Sequence, residues 1–104
     1  MGATEMKGYV VIDTEVGEGA AFAEFVEKIP AAVAAHGGHF IVRGGELDAV
    51  EGDWEPQRLV IMEFESLEQA RGFIASAEYT SLAELRARAV NSRVLVVEGS
   101  NPAG

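Results

Sequence analysis

A chain of 104 residues, 48 % of them hydrophobic, is long enough for one domain with a sizeable core. Seventeen acidic against eight basic residues give a formal net charge of −9, and this charge excludes nucleic acid and anionic membrane surfaces as expected partners. With no cysteine, the chain can form neither a disulfide nor a thiolate metal site. No segment resembles a secretion signal or a membrane span, so we expect an acidic, cytoplasmic protein.

The first half of the chain predicts a strand, a helix and a short strand. The strand covers residues 7–16, and apolar residues recur at helical spacing from Phe22 to Val33. Pro30 lies inside this helix and should kink or restart it, because proline lacks the N–H that bonds the carbonyl four residues earlier. Gly37 is placed to end the helix, since glycine adopts the left-handed cap conformation without a Cβ clash.

The middle of the chain predicts three strand-like segments. A short strand at residues 40–43 is interrupted by Gly44 and Gly45, which should form a bulge or a bend. A second strand-like segment covers residues 46–51, a turn follows at 52–56, and a long strand covers 58–64.

The last third predicts two capped helical segments and a final strand. Ser66 and Ser76 are expected to cap the helices, and the last strand covers residues 93–98. The resulting order predicts an α+β, ferredoxin-like βαββαβ sandwich, with antiparallel strands in the order 4-1-3-2 and helices on one face. We expect this single domain to cover residues 7–99, with flexible ends at 1–6 and 100–104.

The strands are apolar on both faces, which predicts self-association. In the third strand Leu59 and Ile61 point one way while Val60 and Met62 point the other. A sheet covered by helices on one face would leave an apolar patch larger than monomers usually expose. We therefore expect a homodimer that stacks the two sheet faces.

Several short motifs, in order along the chain, resemble a known family. They are residues 7–9 (KGY), 35–38 (AHGG), 42–45 (VRGG), 51–54 (EGDW), 58–60 (RLV) and 76–79 (SAEY). The chain resembles the domain of unknown function 1330 family, DUF1330, in the dimeric α/β-barrel superfamily. The resemblance implies a ferredoxin-like fold and a dimer with stacked sheets, and it implies no particular reaction. His39, Ala77 and Ile74 depart from the family pattern, which commonly has Arg, Pro and an aromatic residue there.

His36, Asp13 and Glu63 are the candidate catalytic residues. An imidazole exchanges protons near neutral pH, although His36 could equally cap the first helix. Asp13 and Glu63 stand in otherwise apolar strands. If they share a sheet face, desolvation in a dimer cavity would raise their proton affinity, as a general base requires; the alternative is that both lie near strand ends in water.

Four residues are candidate ligand-binding residues: Arg43, Trp54, Tyr79 and Arg86. Arginine can hold an anionic ligand or pair with a nearby carboxylate. Tryptophan can wall a pocket or seal a hairpin, and tyrosine can border a cleft or belong to the core.

We expect one site near the end of the first helix. Its predicted border is formed by His36, Arg43, Trp54 and Glu63, since irregular backbone beside a rigid sheet is a common place for sites.

No metal or cofactor is expected. His36 and His39 have a His-x-x-His spacing, but Gly37 and Gly38 break the helix between them and no third ligand is evident. Phosphate-binding and dinucleotide-binding glycine motifs and the G-x-S-x-G nucleophile motif are missing from the sequence.

Two kinds of function are compatible with these patterns. The first is binding or transformation of a small organic molecule in a cavity beside the sheet. The alternative is a non-catalytic binding or structural dimer module. Whether the protein is an enzyme is left open, because a fold by itself does not determine function.

Overall fold

The structure, a computed structural model, describes residues 6–101. Its elements in chain order are β1 (Gly8–Val16), α1 (Gly19–Ala35), β2 (His39–Arg43), β3 (Arg58–Phe64), α2 (Leu67–Ala75), α3 (Ala77–Thr80), α4 (Ala83–Ala89) and β4 (Val90–Glu98). The strands form one sheet in the order β2-β3-β1-β4 with every neighbouring pair antiparallel. The predicted ferredoxin-like α+β fold is confirmed. Residues 1–5 and 102–104 of the predicted flexible ends lie outside the described residues.

The helices cover one face of the sheet, and the residues of this face form the core. In the register, Val10 of β1 lies opposite Met62 of β3, and both are almost completely buried. Above them the rings of Phe64, Phe73 and Tyr79 pack in a row, with neighbouring centroids 5.3 and 4.9 Å apart. Burying each such aromatic side chain stabilises the fold by about 2 to 3 kcal/mol.

The opposite face of the sheet, called the open face below, has no covering element in the described chain. Its residues come from all four strands: Tyr9, Val11, Asp13, His39, Val42, Leu59, Ile61, Glu63, Arg93, Leu95 and Val97. Its centre is apolar, and Leu95 and Val97 are 57 % and 45 % exposed. The prediction that the strands are apolar on both faces is confirmed.

Helix α1 ends as the sequence predicts. Gly37 has a φ of +74°, and its N–H donates to the carbonyl of Ala34 at 3.0 Å. The N–H of Gly38 donates to the carbonyl of Val33, also at 3.0 Å. This pair of bonds is the Schellman motif, in which a left-handed glycine satisfies the last carbonyls of a helix.

The predicted restart of α1 at Pro30 is wrong, because the helix runs without interruption from Gly19 to Ala35. Pro30 has no N–H for the carbonyl of Val26, which is four residues earlier. The side chain of Arg43 replaces that donor, since its Nη2 donates to the Val26 carbonyl oxygen at 2.9 Å. A strand residue therefore compensates for the proline in the helix.

The predicted strand at 46–51 is also wrong. Residues 44–57 connect β2 to β3 without regular secondary structure, and Val50 is 89 % exposed. A strand at 46–51 would need a neighbouring strand with which to form backbone hydrogen bonds. Gly44, with a φ of +68°, instead turns the chain away from β2, which is the edge strand of the sheet. The connecting segment consequently lies outside the sheet.

The chain bends at Gly44, one of the two alternatives predicted for Gly44 and Gly45, and a bulge lies three residues earlier. The register between β2 and β3 shifts between Phe40 and Val42, not at Gly44 and Gly45. Because of the shift, Arg43 lies opposite Val60 on the helix-covered face, while Val42 lies opposite Ile61 on the open face.

Both predicted serine caps are present. The Oγ atoms of Ser66 and Ser76 accept hydrogen bonds from the N–H groups of Gln69 and Tyr79, each at 3.2 Å. The helical segment after Ser76 is divided into α3 and α4. Among residues 6–101, no helix combines the length and apolar character needed to cross a membrane.

The hydrogen bond from Arg43 to Val26 gives a test of how the fold tolerates Pro30. Replacing Arg43 with Met should lower the free energy of unfolding by about 1 kcal/mol, because the Val26 carbonyl loses its donor. In a Pro30→Ala background the helix supplies its own N–H, so the same replacement should cost clearly less. Urea denaturation of the four proteins, at one protein concentration, measures this coupling. Equal costs in both backgrounds would contradict the compensation.

Candidate functional site

A pocket lies between the sheet and the helices, at the end where β1 and β2 finish and β3 and β4 begin. We call it the central pocket. Its volume is about 40 Å³, enough for a few water molecules or a small chemical group. The lining side chains come from α1, all four strands, α3 and α4: Ile12, Thr14, Phe22, Phe25, Val26, Ile29, Phe40, Arg43, Arg58, Val60, Met62, Tyr79, Arg86, Val90 and Ser92.

Aromatic and aliphatic side chains make up most of the pocket wall. Phe22, Phe25 and Ile29 approach from α1, at the helical spacing that the sequence shows. Ile12 and Val60 lie opposite each other on the sheet below. Such a wall suits the apolar part of an organic molecule.

Arginines provide the positive charge of the central pocket. Arg58 is the first residue of β3 and lies opposite Thr14, which places it on the helix-covered face. The centre of its guanidinium lies 5.3 Å from the centroid of the Phe22 ring. Arg43 lies over Phe40, with its guanidinium carbon 4.3 Å from the ring centroid.

Arg86 is the third arginine of the pocket and it contacts Tyr79. Its Nη1 donates to the Tyr79 hydroxyl at 2.6 Å, and its guanidinium carbon lies 4.4 Å from the centroid of the same ring. Its Nε is buried and has no hydrogen-bond partner. A buried donor without an acceptor costs about 1 to 3 kcal/mol, and more when the group is charged.

Within residues 6–101, no carboxylate forms an ion pair with the pocket arginines. The ion pairs within residues 6–101 use other basic groups, namely Lys7, Lys28, His36, His39 and Arg93. None of Arg43, Arg58 and Arg86 forms an ion pair with a described carboxylate. The central pocket is therefore a positively charged site in a strongly acidic protein.

Glu63 is the centre of a hydrogen-bonded group on the open face. Its Oε2 accepts a hydrogen bond from the Tyr9 hydroxyl at 2.8 Å, and its Oε1 lies 3.1 Å from Nε2 of His39. The bond to the carboxylate raises the pKa of Tyr9, and partial burial acts in the same direction. Both oxygens of Glu63 thus have a partner within the same chain.

Asp13 lies on the same face as Glu63, as the register requires. Its Oδ2 accepts a hydrogen bond from Nε1 of Trp54 at 2.8 Å and another from Arg93 at 3.2 Å. The carboxyl side chain is only 13 % exposed. Trp54 therefore anchors the β2–β3 connection at the edge of the open face, beside a groove that Asp13 and Arg93 also line.

His36 lies at the end of α1, away from the hydrogen-bonded groups around Glu63 and Asp13. Its Nε2 is 3.0 Å from Oε1 of Glu78, and its ring contacts Phe73 edge-on. The hydrogen bond from His36 lowers the pKa of the Glu78 carboxyl. The groove beside His36 is lined by α1 and α2 residues and does not include the pocket arginines.

The four residues expected to border one site do not share a cavity. Arg43 lines the central pocket, Trp54 lies at the open face, His36 lies at the end of α1, and Glu63 bonds to Tyr9. The predicted common site is therefore wrong. Of the candidate residues, Arg43, Tyr79 and Arg86 are those that the fold brings together.

Arg58 and the phenylalanines Phe22 and Phe25 also line the pocket, although no sequence motif identifies them as site residues. A signal for Arg58 exists in the alternation of β3, where it shares a face with the core residues Val60 and Met62. A charged side chain on a core face is unusual and indicates a special role.

Metal ligands are not clustered in the described part of the chain. Residues 6–101 contain no group of three histidine, aspartate or glutamate side chains that could hold an ion. His36 and His39 pair with different glutamates, Glu78 and Glu63.

The bond from Tyr9 to Glu63 predicts a pH effect. The pKa of Tyr9 is raised in the folded protein. The bond therefore stabilises the fold fully below the phenol's ordinary pKa of about 10. This stabilisation is lost as the pH rises through the higher pKa of the folded state. Replacing Glu63 with Gln should shift the pKa of Tyr9 downward. NMR titration of ¹³C-labelled tyrosine ring carbons measures Tyr9 separately from Tyr79. Glu65→Gln, which removes the partner of Lys7, is the control and should leave the Tyr9 pKa nearly unchanged. The same Tyr9 pKa in Glu63→Gln and in the wild type would contradict the assignment.

Comparison with solved structures finds the same fold in proteins of low sequence identity. A protein of unknown function from Rhodopseudomonas palustris has a TM-score of 0.69 and 18 % identity, over 94 % of this chain and 85 % of that one. SnoaB, a cofactor-independent oxygenase from Streptomyces nogalater, has a TM-score of 0.60 and 13 % identity, over 92 % and 95 %. A candidate antibiotic biosynthesis monooxygenase from Nitrosomonas europaea has a TM-score of 0.55 and 14 % identity, over the whole of both chains.

Comparison with curated proteins gives no match. The family comparison does give one: the profile described as "Domain of unknown function (DUF1330)" matches residues 7–100. This match covers nearly the whole chain, in agreement with the motifs and the fold. The chain therefore belongs to the DUF1330 family.

Proposed function

We propose that this protein binds a small organic molecule in the central pocket and assembles as a homodimer through the open face. The observation that carries the binding proposal is the pocket itself, an apolar cleft between two layers with a few convergent polar groups. This combination is typical of small-molecule sites.

The lining of the pocket favours binding over acid–base catalysis. Its polar side chains are arginines and the hydroxyl groups of Thr14, Tyr79 and Ser92. No carboxylate or imidazole is among the described residues that line it, and these are the usual general bases. The candidate bases Asp13 and Glu63 lie on the other side of the sheet, where each carboxylate already has two partners among the described side chains.

One structural neighbour supports a function for this fold beyond a purely structural one. SnoaB is a cofactor-independent oxygenase, so a protein of this fold can have an enzymatic activity. Because the identity is 13 %, the likeness shows a shared fold and does not transfer the reaction.

The open face supports the dimer. The folded chain measures 48 × 37 × 17 Å, so it consists of one helical layer and one sheet layer with an apolar outer face. A second copy offers the same apolar face and can cover it by a two-fold arrangement. The carboxylates of Asp13 and Glu63 accept hydrogen bonds within their own chain, so burying them leaves neither carboxylate without a hydrogen-bond donor.

Small uncharged aromatic compounds test the binding proposal. Benzyl alcohol and phenol should shift the methyl NMR signals of Ile12, Val60 and Val90 and raise the melting temperature, because a ligand that binds only the folded state stabilises it. Val26→Phe fills the pocket from α1 and should abolish both effects. Ala23→Phe, on an exposed position of the same helix, is the matched control and should keep them. No shift with either compound, or equal binding by Val26→Phe, would overturn the proposal.

An acidic substitution on the open face tests the dimer. Leu95 is 57 % exposed in the single chain, so Leu95→Asp should fold normally but bury an unpaired charge in the interface. In sedimentation velocity at micromolar concentration, the wild type should have twice the mass of one chain and Leu95→Asp the mass of one. Ala31→Asp, on an exposed position of α1, should remain a dimer. A monomeric wild type would exclude the stacked-sheet assembly.

A further inference from the structure

We propose that the ligand of the central pocket is an organic acid, with its anionic group bound by Arg86 and Arg58. This inference rests on the proposed binding function and specifies the class of ligand. The molecule would combine an apolar, preferably aromatic body with one carboxylate.

The unused edge of the Arg86 guanidinium is the first reason. Nη1 is occupied by the Tyr79 hydroxyl at 2.6 Å, and this contact fixes the orientation of the planar group. Nε is buried without an acceptor, and Nη2 forms no hydrogen bond with a described residue. Nε and Nη2 form one edge of the guanidinium, and two parallel N–H groups on such an edge match the two oxygens of a carboxylate once the wall moves enough to uncover Nε.

The distribution of charge is the second reason. Three of the eight basic residues of the chain line this one pocket, although the chain offers seventeen acidic residues as partners. Lys7, Lys28 and Arg93 do pair with nearby carboxylates. A guanidinium that is kept beside an apolar wall without a counter-charge indicates that the counter-charge comes from a ligand.

The roles of the pocket arginines are different. Arg43 has a structural role. Its Nη2 donates a hydrogen bond to the carbonyl of Val26, which receives no N–H from Pro30. Arg58 contacts Phe22 and the backbone of Gly44, and it donates no hydrogen bond to a described residue. We therefore assign the anion to Arg86 as the anchor and to Arg58 as the second positive group.

The wall of the pocket defines the rest of the ligand. Phe22, Phe25 and Ile29 offer apolar contact on the α1 side, and the volume of about 40 Å³ admits only a small group without movement of the wall. A phosphorylated or multiply charged compound would bury charge against these side chains at a high cost. A monocarboxylate with a compact apolar body matches the lining, and a ring as large as that of benzoate requires the wall to move.

Benzoate and benzamide provide a matched test, because they have nearly the same shape and differ in charge. Their affinities are measured by NMR titration of the Ile12, Val60 and Val90 methyl groups at constant ionic strength. Benzoate should bind the wild type at least about tenfold more tightly, as expected for a charge-assisted pair of hydrogen bonds. The overall charge of −9 repels benzoate, so such a preference must arise locally.

Variants identify the arginine responsible. Arg86→Met should remove the preference for benzoate and keep the binding of benzamide, whereas Arg86→Lys should keep part of the preference. Arg71→Met, which removes an exposed arginine on α2 away from the pocket, is the matched control and should behave as the wild type.

The outcomes separate the two proposals. Equal affinity of the wild type for benzoate and benzamide would overturn the anionic ligand and leave the binding function intact. Binding of neither compound would overturn both. A preference that survives in Arg86→Met but is lost in Arg58→Met would contradict the assignment to Arg86. The wild-type comparison decides the ligand class even if Arg86→Met does not fold.

Discussion

The pairing of β1 with both β3 and β4 is the constraint on which the rest of the structure depends. β1 pairs with β4 along all of its residues from Gly8 to Val16, and with β3 from Gly8 to Thr14. Since side chains alternate between faces, this register decides which residues meet the helices and which remain on the open face. A slip by one residue would exchange Val10 with Val11 and move Thr14 out of the pocket. The core, the central pocket and the open face are all consequences of one register.

The central pocket depends on a second contact, between β2 and α1. The shifted register after Phe40 turns Arg43 toward the helices, where it bonds to the carbonyl that Pro30 leaves without a donor. This bond connects the edge strand to the helix at the rim of the pocket. It also explains why a proline in the middle of α1 is compatible with a continuous helix, since the carbonyl of Val26 can be satisfied by a side chain as well as by an N–H of the following turn.

The similarity to the structural neighbours is a similarity of fold and not of activity. Proteins with 13 % to 18 % identity share the sheet and its helices, so very different sequences form the two layers between which the central pocket of this chain lies. The charge of the central pocket comes from Arg43, Arg58 and Arg86. Functional distinctions within such a fold arise from a few side chains, here the guanidinium groups of Arg58 and Arg86 against an apolar wall.

The sequence by itself determined the features that depend on neighbouring residues. The left-handed cap at Gly37, the serine caps and the strands apolar on both faces are local patterns, and the structure contains them. Their order along the chain also predicted the sheet order, because short antiparallel connections and right-handed crossovers leave few alternatives. The family resemblance agreed with this fold and specified no ligand.

Only the tertiary structure decided which side chains come together. The shift in β2 placed Arg43 on the helix-covered face, contrary to simple alternation, and Gly44 turned residues 46–51 away from the sheet. His36, Glu63 and Trp54 lie within a short part of the sequence but in three separate places. Arg58 and Arg86 are distant in sequence yet line one pocket. Spacing along the chain fixes local hydrogen bonds and the face of a strand, whereas convergence through space depends on how the layers pack.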